Sequence, residues 1–279
     1  MTTSSEVLTV ERRDRVATLW LDNPKKRNAM GAAFWNDLPL EMAELCDDAD
    51  VRAIVLAGRG PMFSAGIDLE FLAGGAGTAG EPGEPPPPSA AAQANRAYRG
   101  LKRLQAAITS VADCPKPVIA AVHGWCIGAG VDLITACDIR LASADARFSV
   151  RETRLAIVAD VGTLQRLPRI VGPGHAAELA LTAKDITADR ALAVGLVNEV
   201  FEDHDAVVAA ARELAAEIAT LSPLAVQGTK AILRHAQDHS VAESLDYVAL
   251  WNTAFAGSND VTEAFNAHLE KRPPDYTGT

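Results

Sequence analysis

Three acidic residues in the middle of the chain, Asp132, Glu152 and Asp160, have the residue type that proton-transfer chemistry needs, and we expect them to share one pocket. Glu152 lies 20 residues and Asp160 lies 28 residues after Asp132, and Asp160 stands in the mostly apolar run 155–162. A carboxyl group in apolar surroundings has a raised pKa, so it can hold or accept a proton near neutral pH. Two alternatives stay open: Asp132 would also be favourable simply as an acid near a helix N-terminus, and the acids could form structural ion pairs. Candidate partners are Arg151, Arg154 and Arg166.

Two turns of small residues could supply the groups that stabilise a developing negative charge. Each follows an apolar strand-like run and precedes a helix-like one: Ser64-Ala65-Gly66 and Gly128-Ala129-Gly130. Small residues let a bound molecule approach the backbone, and a helix that begins there adds N–H groups without partners. Two such turns facing each other would form an oxyanion hole for a carbonyl oxygen. The residues leave equally open that the glycines only permit tight packing.

Other chemistries lack their motifs. Neither G-x-S-x-G nor H-E-x-x-H occurs, and the four cysteines form no CxxC pair, so no metal site is predicted. Residues 75–80 spell G-x-G-x-x-G, but a proline run at 85–88 follows instead of a helix, which argues against a dinucleotide site. A second near-match at 172–177 is interpreted as a helix start.

The elements that must position these residues alternate between strands and helices. Apolar runs predict strands at 7–10, 16–21, 53–57, 118–122 and 139–142. Asn28 is predicted to cap a helix that runs to about Cys46, and a further helix carries Tyr98, Leu101, Leu104, Ile108 and Val111 on one face. This alternation favours an α/β core with parallel strands.

Two regions are predicted along the chain. Residues 1–200 would form the α/β core, interrupted by a flexible, Pro/Gly-rich insertion at 73–92. Residues 201–279 would form a helical region, with helices at 206–220, 222–235 and 242–269, that packs on the core or on a neighbouring subunit.

Composition narrows the partners and suggests a compartment. The chain of 279 residues has 26 lysines and arginines against 36 aspartates and glutamates, a net charge of −10, which argues against nucleic acid. No apolar run reaches the roughly 18–20 residues of a membrane span. Because there is no apolar signal core at the N-terminus, no peroxisomal address at 276–279 and no cysteine pairing pattern, we expect a cytoplasmic protein.

Several motifs together resemble the crotonase (enoyl-CoA hydratase/isomerase) family over nearly the whole chain. They are FSAGID at 63–68, PKPVIAAVHG at 115–124, GAGVD at 128–132, ACD at 136–138 and QRLP at 165–168. The resemblance implies the crotonase (ClpP/crotonase-like) fold, repeated ββα units in a spiral. Within the family the Asp132, Glu152 and Asp160 triad resembles that of Δ3,5-Δ2,4-dienoyl-CoA isomerases, whereas typical hydratases carry Glu, Glu and Gly.

The resemblance also implies a reaction and a role for each residue. A 3,5-dienoyl-CoA would become a 2,4-dienoyl-CoA, with Glu152 serving C2, Asp160 serving C6 and Asp132 acting as an auxiliary acid. The backbone N–H groups of Ala65 and Ala129 would form the oxyanion hole. The pathway implied is the β-oxidation of fatty acids.

Further implications concern substrate binding and assembly. The remaining substrate-binding or CoA-binding positions would be Lys26, Arg27, Gly66, Ile67, Asp68, Leu69 and Gly128, with Lys25 in the same basic loop. CoA is part of the substrate, so no separate cofactor is expected, and the assembly would be a homotrimer or a dimer of trimers. Ala129 departs from the usual glycine, and Arg151 and Arg154 are expected to lower the pKa of Glu152.

Two rival functions remain. A 2-enoyl-CoA hydratase needs two carboxylates that hold one water, and a non-catalytic acyl-CoA-binding protein needs only the fold. Asp160, where a hydratase carries glycine, argues against the first rival. The intact triad and both turns argue against the second.

Overall fold

The computed structural model describes residues 5–75 and 89–279, which form a mixed α/β structure. Its strands are β1 (Leu8–Arg13), β2 (Val16–Leu21), β3 (Ala53–Gly58), β4 (Val118–Val122), β5 (Trp125–Ile127), β6 (Ile139–Ser143), β7 (Arg147–Ser149), β8 (Ile186–Thr187) and β9 (Glu199–Phe201). Its α-helices are α1 (Ala32–Asp47), α2 (Leu69–Ala73), α3 (Ala90–Asp113), α4 (Ala129–Thr135), α5 (Thr163–Val171), α6 (Pro173–Thr182), α7 (Ala188–Ala193), α8 (His204–Ala219), α9 (Pro223–His235), α10 (Val241–Phe255) and α11 (Asn259–Glu270).

A six-stranded sheet in the order β1-β2-β3-β4-β6-β9 forms the centre of the molecule. The β1–β2 pair is antiparallel, and the remaining pairs are parallel, as the sequence predicts. Strands β2, β3 and β4 are buried along their whole length. Both faces of these strands are covered, which explains their continuous apolar character.

Alternate residues of the central strands contribute to two different cores. In β3, Ile54 and Leu56 belong to the cluster that contains the buried residues of α1 and α3, whereas Val55 points to the opposite face. There it joins buried residues of α8. The period-two alternation of side chains therefore places α8 on the sheet face opposite α1 and α3.

A three-stranded sheet, β5-β7-β8, lies beside the large one and positions the central motifs. Consecutive strands divide between the sheets: β4 and β6 belong to the large sheet, and β5 and β7 belong to the small one. Strand β5 pairs in parallel with β7 and leads at Gly128 into α4. The chain thus forms ββα units, as the resemblance implies.

Several expected boundaries were wrong. Helix α1 begins at Ala32 with Gly31 as its N-cap, so Asn28 is not the cap. The predicted helix at 242–269 is two helices, because the chain leaves helical geometry near Gly257 and Ser258 caps α11. Most of the predicted insertion, 76–88, lies outside the described residues, while residues 90–92 already belong to α3.

The near-match at 172–177 does open a helix, with Gly172 before α6, but it follows α5 rather than a strand. The division of the chain at residue 200 stays a prediction, although α8 packs directly on the core sheet. No helix in the described part of the chain combines the length and apolar character needed to cross a membrane.

Candidate active site

One large cavity collects the residues that the sequence singled out. Its volume is about 910 Å³, and it is bounded by the loop at 25–29, both small-residue turns, helix α3 and the segment 151–161. The predicted positions among its lining residues are Lys26, Arg27, Ala65, Gly66, Ile67, Asp68, Leu69, Gly128, Ala129, Asp132, Glu152 and Asp160. The structure therefore brings all of these residues to the lining of one cavity.

The first turn presents a different N–H group from the one that the sequence suggested. The N–H of Ala65 donates to the carbonyl of Arg27 (3.0 Å), so the prediction that it is free to bind a substrate oxygen was wrong. The carbonyl of Gly66 accepts from the N–H of Met30 (2.8 Å). In a trans peptide the next N–H points the opposite way. The N–H of Ile67 therefore points away from Met30, and no hydrogen-bond partner for it occurs among residues 5–75 and 89–279.

Sequence reasoning missed Ile67 as a donor, although it placed the residue among the substrate contacts. The available signal was Gly66, whose φ of 86° reverses the chain just before Ile67. The first turn is also not a helix start, because α2 begins only at Leu69 with Asp68 as its N-cap.

The second turn is a helix start, as predicted. Gly128 has a φ of 52°, and Ala129 is the first residue of α4, so its N–H has no partner within the helix. The two turns lie against each other, because a Cβ on Gly66 would stand 2.6 Å from the carbonyl oxygen of Ile127 and 3.5 Å from the nitrogen of Ala129. The N–H groups of Ile67 and Ala129, which have no hydrogen-bond partner among the residues that the structure describes, thus belong to adjacent walls of the cavity.

Asp132 is a buried acid in α4, with 1% exposure. Burial raises its pKa to about 6, while the Thr163 N–H opposes this rise by donating to Oδ1 at 2.5 Å. Asp132 lies in the first turn of α4, and Thr163 is the first residue of α5, so the carboxylate is placed favourably at two helix N-termini. It also lines the cavity, so the structure is compatible with both the structural and the chemical interpretation.

Glu152 begins a 3₁₀ turn, Glu152–Leu155, and is 9% exposed. Its Oε2 is buried without a hydrogen-bond partner in the described part of the chain, and its Oε1 faces Gly128. Burial first, and then the charge of Asp132, raise the pKa of Glu152 to about 7. This is the property expected of a group that exchanges protons near neutral pH.

The expectation that the charges of Arg151 and Arg154 lower the pKa of Glu152 was wrong, although a hydrogen bond from the Arg151 backbone opposes the rise of that pKa. Arg151 instead forms an ion pair with Asp185 at 2.5 Å and stacks over Trp125. Arg154 is exposed. The charge next to Glu152 in sequence is thus directed away from it in space.

Asp160 lines the cavity but remains exposed in the single chain. Partial burial raises its pKa above the ordinary value. Its backbone carbonyl accepts from Nε2 of Gln105 in α3 (2.8 Å). Within the described ranges its carboxyl pairs with neither Arg154 nor Arg166, since Arg166 donates to Thr109 and to the carbonyl of Val161. The ion-pair alternative is therefore not what the structure contains.

The basic loop forms part of the cavity mouth. Lys26 Nζ lies 3.1 Å from Asp68 and 2.9 Å from Glu70, so its charge is shared with two exposed or half-buried acids. Asp68 also accepts from the N–H groups of Glu70 and Phe71 as the cap of α2. These contacts give Lys26 and Asp68 structural roles at the mouth, and their contact with CoA stays a prediction. No group of three metal-ligating side chains comes together in the ranges described.

Comparison with known proteins gives the relatives of this chain. The sequence model of the enoyl-CoA hydratase/isomerase family matches residues 11–279. A Dictyostelium discoideum protein named Delta(3,5)-Delta(2,4)-dienoyl-CoA isomerase, mitochondrial, is 44% identical over 98% of this chain and 92% of its own length. An Arabidopsis thaliana protein of the same name, but peroxisomal, is 44% identical over 97% of this chain and 96% of its own length.

These names overturn one expectation from the sequence. The relatives are named as mitochondrial or peroxisomal proteins, so the inferred cytoplasmic location was wrong. The absence of an apolar signal core was a poor guide to compartment.

The fold comparison agrees with the sequence comparison. The crystal structure of an enoyl-CoA hydratase from Bacillus anthracis superimposes with a TM-score of 0.87, at 29% identity, over 98% of this chain and 100% of that one. The predicted crotonase fold is confirmed. The chain belongs to the enoyl-CoA hydratase/isomerase family.

Proposed function

We propose that this protein isomerises 3,5-dienoyl-CoA thioesters to 2,4-dienoyl-CoA thioesters. The observation that carries the proposal is the pair Glu152 and Asp160 in one cavity, each with a raised pKa. The relatives named dienoyl-CoA isomerases support it. The reaction serves the degradation of unsaturated fatty acyl chains by β-oxidation.

The reaction moves one proton from C2 to C6. Ionised Glu152 removes the proton from C2, and the electron pair of the broken C–H bond spreads over a dienolate that reaches from the thioester oxygen to C6. Protonated Asp160 then adds a proton at C6, which leaves double bonds at C2 and C4. Before the next turnover Glu152 gives up its proton and Asp160 regains one by exchange with solvent. A pKa of about 7 lets Glu152 accept a proton near neutral pH. The proton transfer requires no redox or metal chemistry, so CoA enters only as part of the substrate.

The N–H groups of Ile67 and Ala129 are the proposed oxyanion hole. The dienolate carries its charge on the thioester oxygen, where two backbone donors stabilise it more than the neutral substrate. Ile67 takes the place that the sequence assigned to Ala65, whose N–H is already bonded to Arg27. Asp132, behind this hole, raises the pKa of Glu152 through its charge.

Lys25, Lys26 and Arg27 are the proposed contacts for the CoA phosphates at the cavity mouth. Gly66, Asp68, Leu69 and Gly128 would contact the rest of the bound thioester. Titration of binding with CoA at increasing salt tests the charge contribution of the basic loop.

We also propose that the protein is a homotrimer or a dimer of trimers. Helices α9 to α11 expose large apolar side chains, which a monomer in water does not favour. The most exposed examples are Val241, Leu250, Phe265 and Leu269. Light scattering coupled to size exclusion measures the mass directly, and a monomer at micromolar concentration would contradict this assembly.

The second candidate is a 2-enoyl-CoA hydratase. Asp132 and Glu152 favour it, because two interacting carboxyl groups near an oxyanion hole could orient a water. An ultraviolet assay separates the candidates. We expect 3,5-octadienoyl-CoA to give the 2,4-diene chromophore, whereas crotonyl-CoA is hydrated slowly or not at all. Fast hydration without isomerisation would favour the hydratase, and CoA binding without turnover of either thioester would favour a non-catalytic protein.

A further inference from the structure

Asn28 forms an unusual concentration of hydrogen bonds beside the first turn. The residue is 3% exposed and has a left-handed φ of 52°, a conformation that asparagine tolerates better than most residues. Its side-chain Nδ2 faces three carbonyl oxygens, and its Oδ1 accepts from the N–H of Asn23 at 2.9 Å. The three carbonyls are those of Arg59 (2.9 Å), Met62 (2.9 Å) and Phe63 (3.0 Å).

A short chain of hydrogen bonds connects the backbone carbonyl of Asn28 to the Gly66 N–H, in the peptide group just before the one that carries the Ile67 donor. The hydroxyl of Ser64, which is fully buried, donates to the Asn28 carbonyl (2.8 Å) and accepts from the N–H of Gly66 (3.1 Å). Met30, two residues after Asn28, donates to the Gly66 carbonyl and accepts from the N–H of Asp68 (3.1 Å). The peptide groups on both sides of Ile67 are therefore held from residues 28–30.

These hydrogen bonds fix the direction in which the Ile67 N–H points, and not only the position of Ile67. A left-handed Gly66 could rotate the following peptide easily, because glycine has no Cβ to restrict it. With the Gly66 N–H held by Ser64 and its carbonyl held by Met30, that rotation is blocked. The N–H of Ile67 then points to the side opposite Met30.

We propose that Asn28 is a positioning residue, which acts through Ser64 to orient the Ile67 N–H and ties this donor to the basic loop at the cavity mouth. The inference rests on the proposed oxyanion hole and adds a residue that does not itself line the cavity. Because Asn28 Oδ1 holds the start of the loop at Asn23, the loop and the donor keep one relative placement. Misplacement of a catalytic group by about 1 Å can cost about 10²-fold in rate.

Two variants separate the two parts of the proposal. Asn28→Gly keeps the backbone carbonyl that Ser64 donates to, but it removes the four side-chain hydrogen bonds that hold this carbonyl in place, without penalising the left-handed backbone. Ser64→Ala removes only the hydroxyl. Asn198→Ala is the matched control, because its side-chain Oδ1 accepts from the Arg140 N–H at an exposed position outside the cavity lining.

The measurements are kcat for 3,5-octadienoyl-CoA, the dissociation constant of free CoA, and the absorption maximum of bound 2,4-octadienoyl-CoA. Hydrogen bonds to the thioester oxygen move that maximum to longer wavelength, so the shift reports the donor directly. We expect Ser64→Ala to lower kcat about 10-fold and reduce the shift, with CoA affinity unchanged. We expect Asn28→Gly to lower kcat about 10²-fold, abolish the shift and weaken CoA binding.

The inference is overturned if Ser64→Ala and Asn28→Gly keep the kcat and the shift of Asn198→Ala, even when their thermal unfolding temperatures fall. If Asn28→Gly does not fold, Ser64→Ala alone decides. If the wild-type protein shifts the absorption maximum of bound 2,4-octadienoyl-CoA and yet does not convert 3,5-octadienoyl-CoA, that result contradicts the proposed function. The absorption shift still tests the positioning role of Asn28 in that case. A wild-type protein that produces no shift overturns the positioning role.

Discussion

Replacing Asp160 by asparagine tests the proposal that Asp160 protonates C6 while Glu152 deprotonates C2. The substitution keeps the shape of the side chain and removes its ability to donate a proton to C6. General acid–base catalysis contributes about 10²- to 10⁴-fold, which corresponds to about 3–5.5 kcal/mol of transition-state stabilisation. We therefore expect kcat for 3,5-octadienoyl-CoA to fall by about 10²- to 10⁴-fold.

The structure predicts that the fold tolerates this substitution. Asp160 is exposed, and in the described ranges its carboxyl forms neither an ion pair nor a hydrogen bond with another side chain. Exposed substitutions of this kind usually change stability by no more than about 0.5 kcal/mol. The dissociation constant of a saturated thioester such as octanoyl-CoA should also change little, because it has no diene for Asp160 to protonate.

The matched control is Asp205→Asn, an exposed aspartate near the start of α8, outside the cavity lining. Both variants and the wild type are compared in the ultraviolet assay, in octanoyl-CoA titrations and in thermal unfolding. Turnover by Asp160→Asn within about 3-fold of the Asp205→Asn value would refute the role of Asp160. Unchanged turnover could not be explained by misfolding, so the reasoning from cavity position and raised pKa would itself be wrong.

Three further outcomes follow from the same geometry. The rate should rise with pH around the Glu152 pKa of about 7 for as long as Asp160 keeps its proton, and it should fall where Asp160 ionises. Glu152→Gln should abolish the rising limb of this pH–rate profile, and an unchanged limb would show that another group titrates. Asp132→Asn should stabilise the protein by about 1–3 kcal/mol at pH 8, because the wild-type acid, with a pKa raised to about 6, must be ionised there while buried. In denaturant titrations this gain in the free energy of unfolding should shrink as the pH falls from about 6 to 4, where the wild-type acid becomes protonated. A gain that grows over this range would contradict the raised pKa. Gly66→Ala should reduce kcat at least about 10-fold, because the added Cβ would lie 2.6 Å from the Ile127 carbonyl oxygen. The control Gly172→Ala should keep its activity, because Gly172 has a similar φ of 80° but nothing within 4 Å of an added Cβ. Equal kcat values for the two variants would argue against close contact of the two turns.

The sequence was a good guide wherever local pattern and burial agree. Strands β2, β3 and β4 are continuous apolar runs, and the structure buries each of them on both faces. The apolar run around Asp160 and the resemblance of the triad Asp132, Glu152 and Asp160 to that of dienoyl-CoA isomerases predicted a shared cavity, and the structure brings these residues there. Such features depend mainly on side-chain polarity, which the sequence states directly.

Features that depend on backbone direction could not be predicted in the same way. The Ala65 N–H is bonded to the carbonyl of the left-handed Arg27. The Ile67 N–H, which has no partner within 5–75 and 89–279, is turned into the cavity because Met30 binds the preceding carbonyl. Both facts require long-range contacts between segments about 35 residues apart. Strands β4 and β5 belong to different sheets, and two neighbouring apolar runs in the sequence do not predict this division either.

Some of the missed features did have a sequence signal. Gly257-Ser258 interrupts the predicted last helix with a glycine followed by a good N-cap residue, which together indicate two helices. Asn28 was correctly recognised as a residue that bonds to backbone groups, but capping is only one use of that ability. The buried polar side chain satisfies carbonyls of a distant loop instead.

The two wrong expectations about Glu152 and Ala65 have a common physical origin. Arg151 is adjacent to Glu152 in sequence, yet its guanidinium pairs with Asp185, so burial and the charge of Asp132 decide the Glu152 pKa. Likewise, Ala65 lies in the right turn, yet its amide is consumed by a structural bond. In both cases the group that remains without a partner is the one available for chemistry, because a satisfied polar group has already gained its stabilisation in the folded state. Glu152 Oε2 and the amides of Ile67 and Ala129 have no hydrogen-bond partner in the part of the chain that the structure describes, and they are therefore better guides to the site than proximity along the chain.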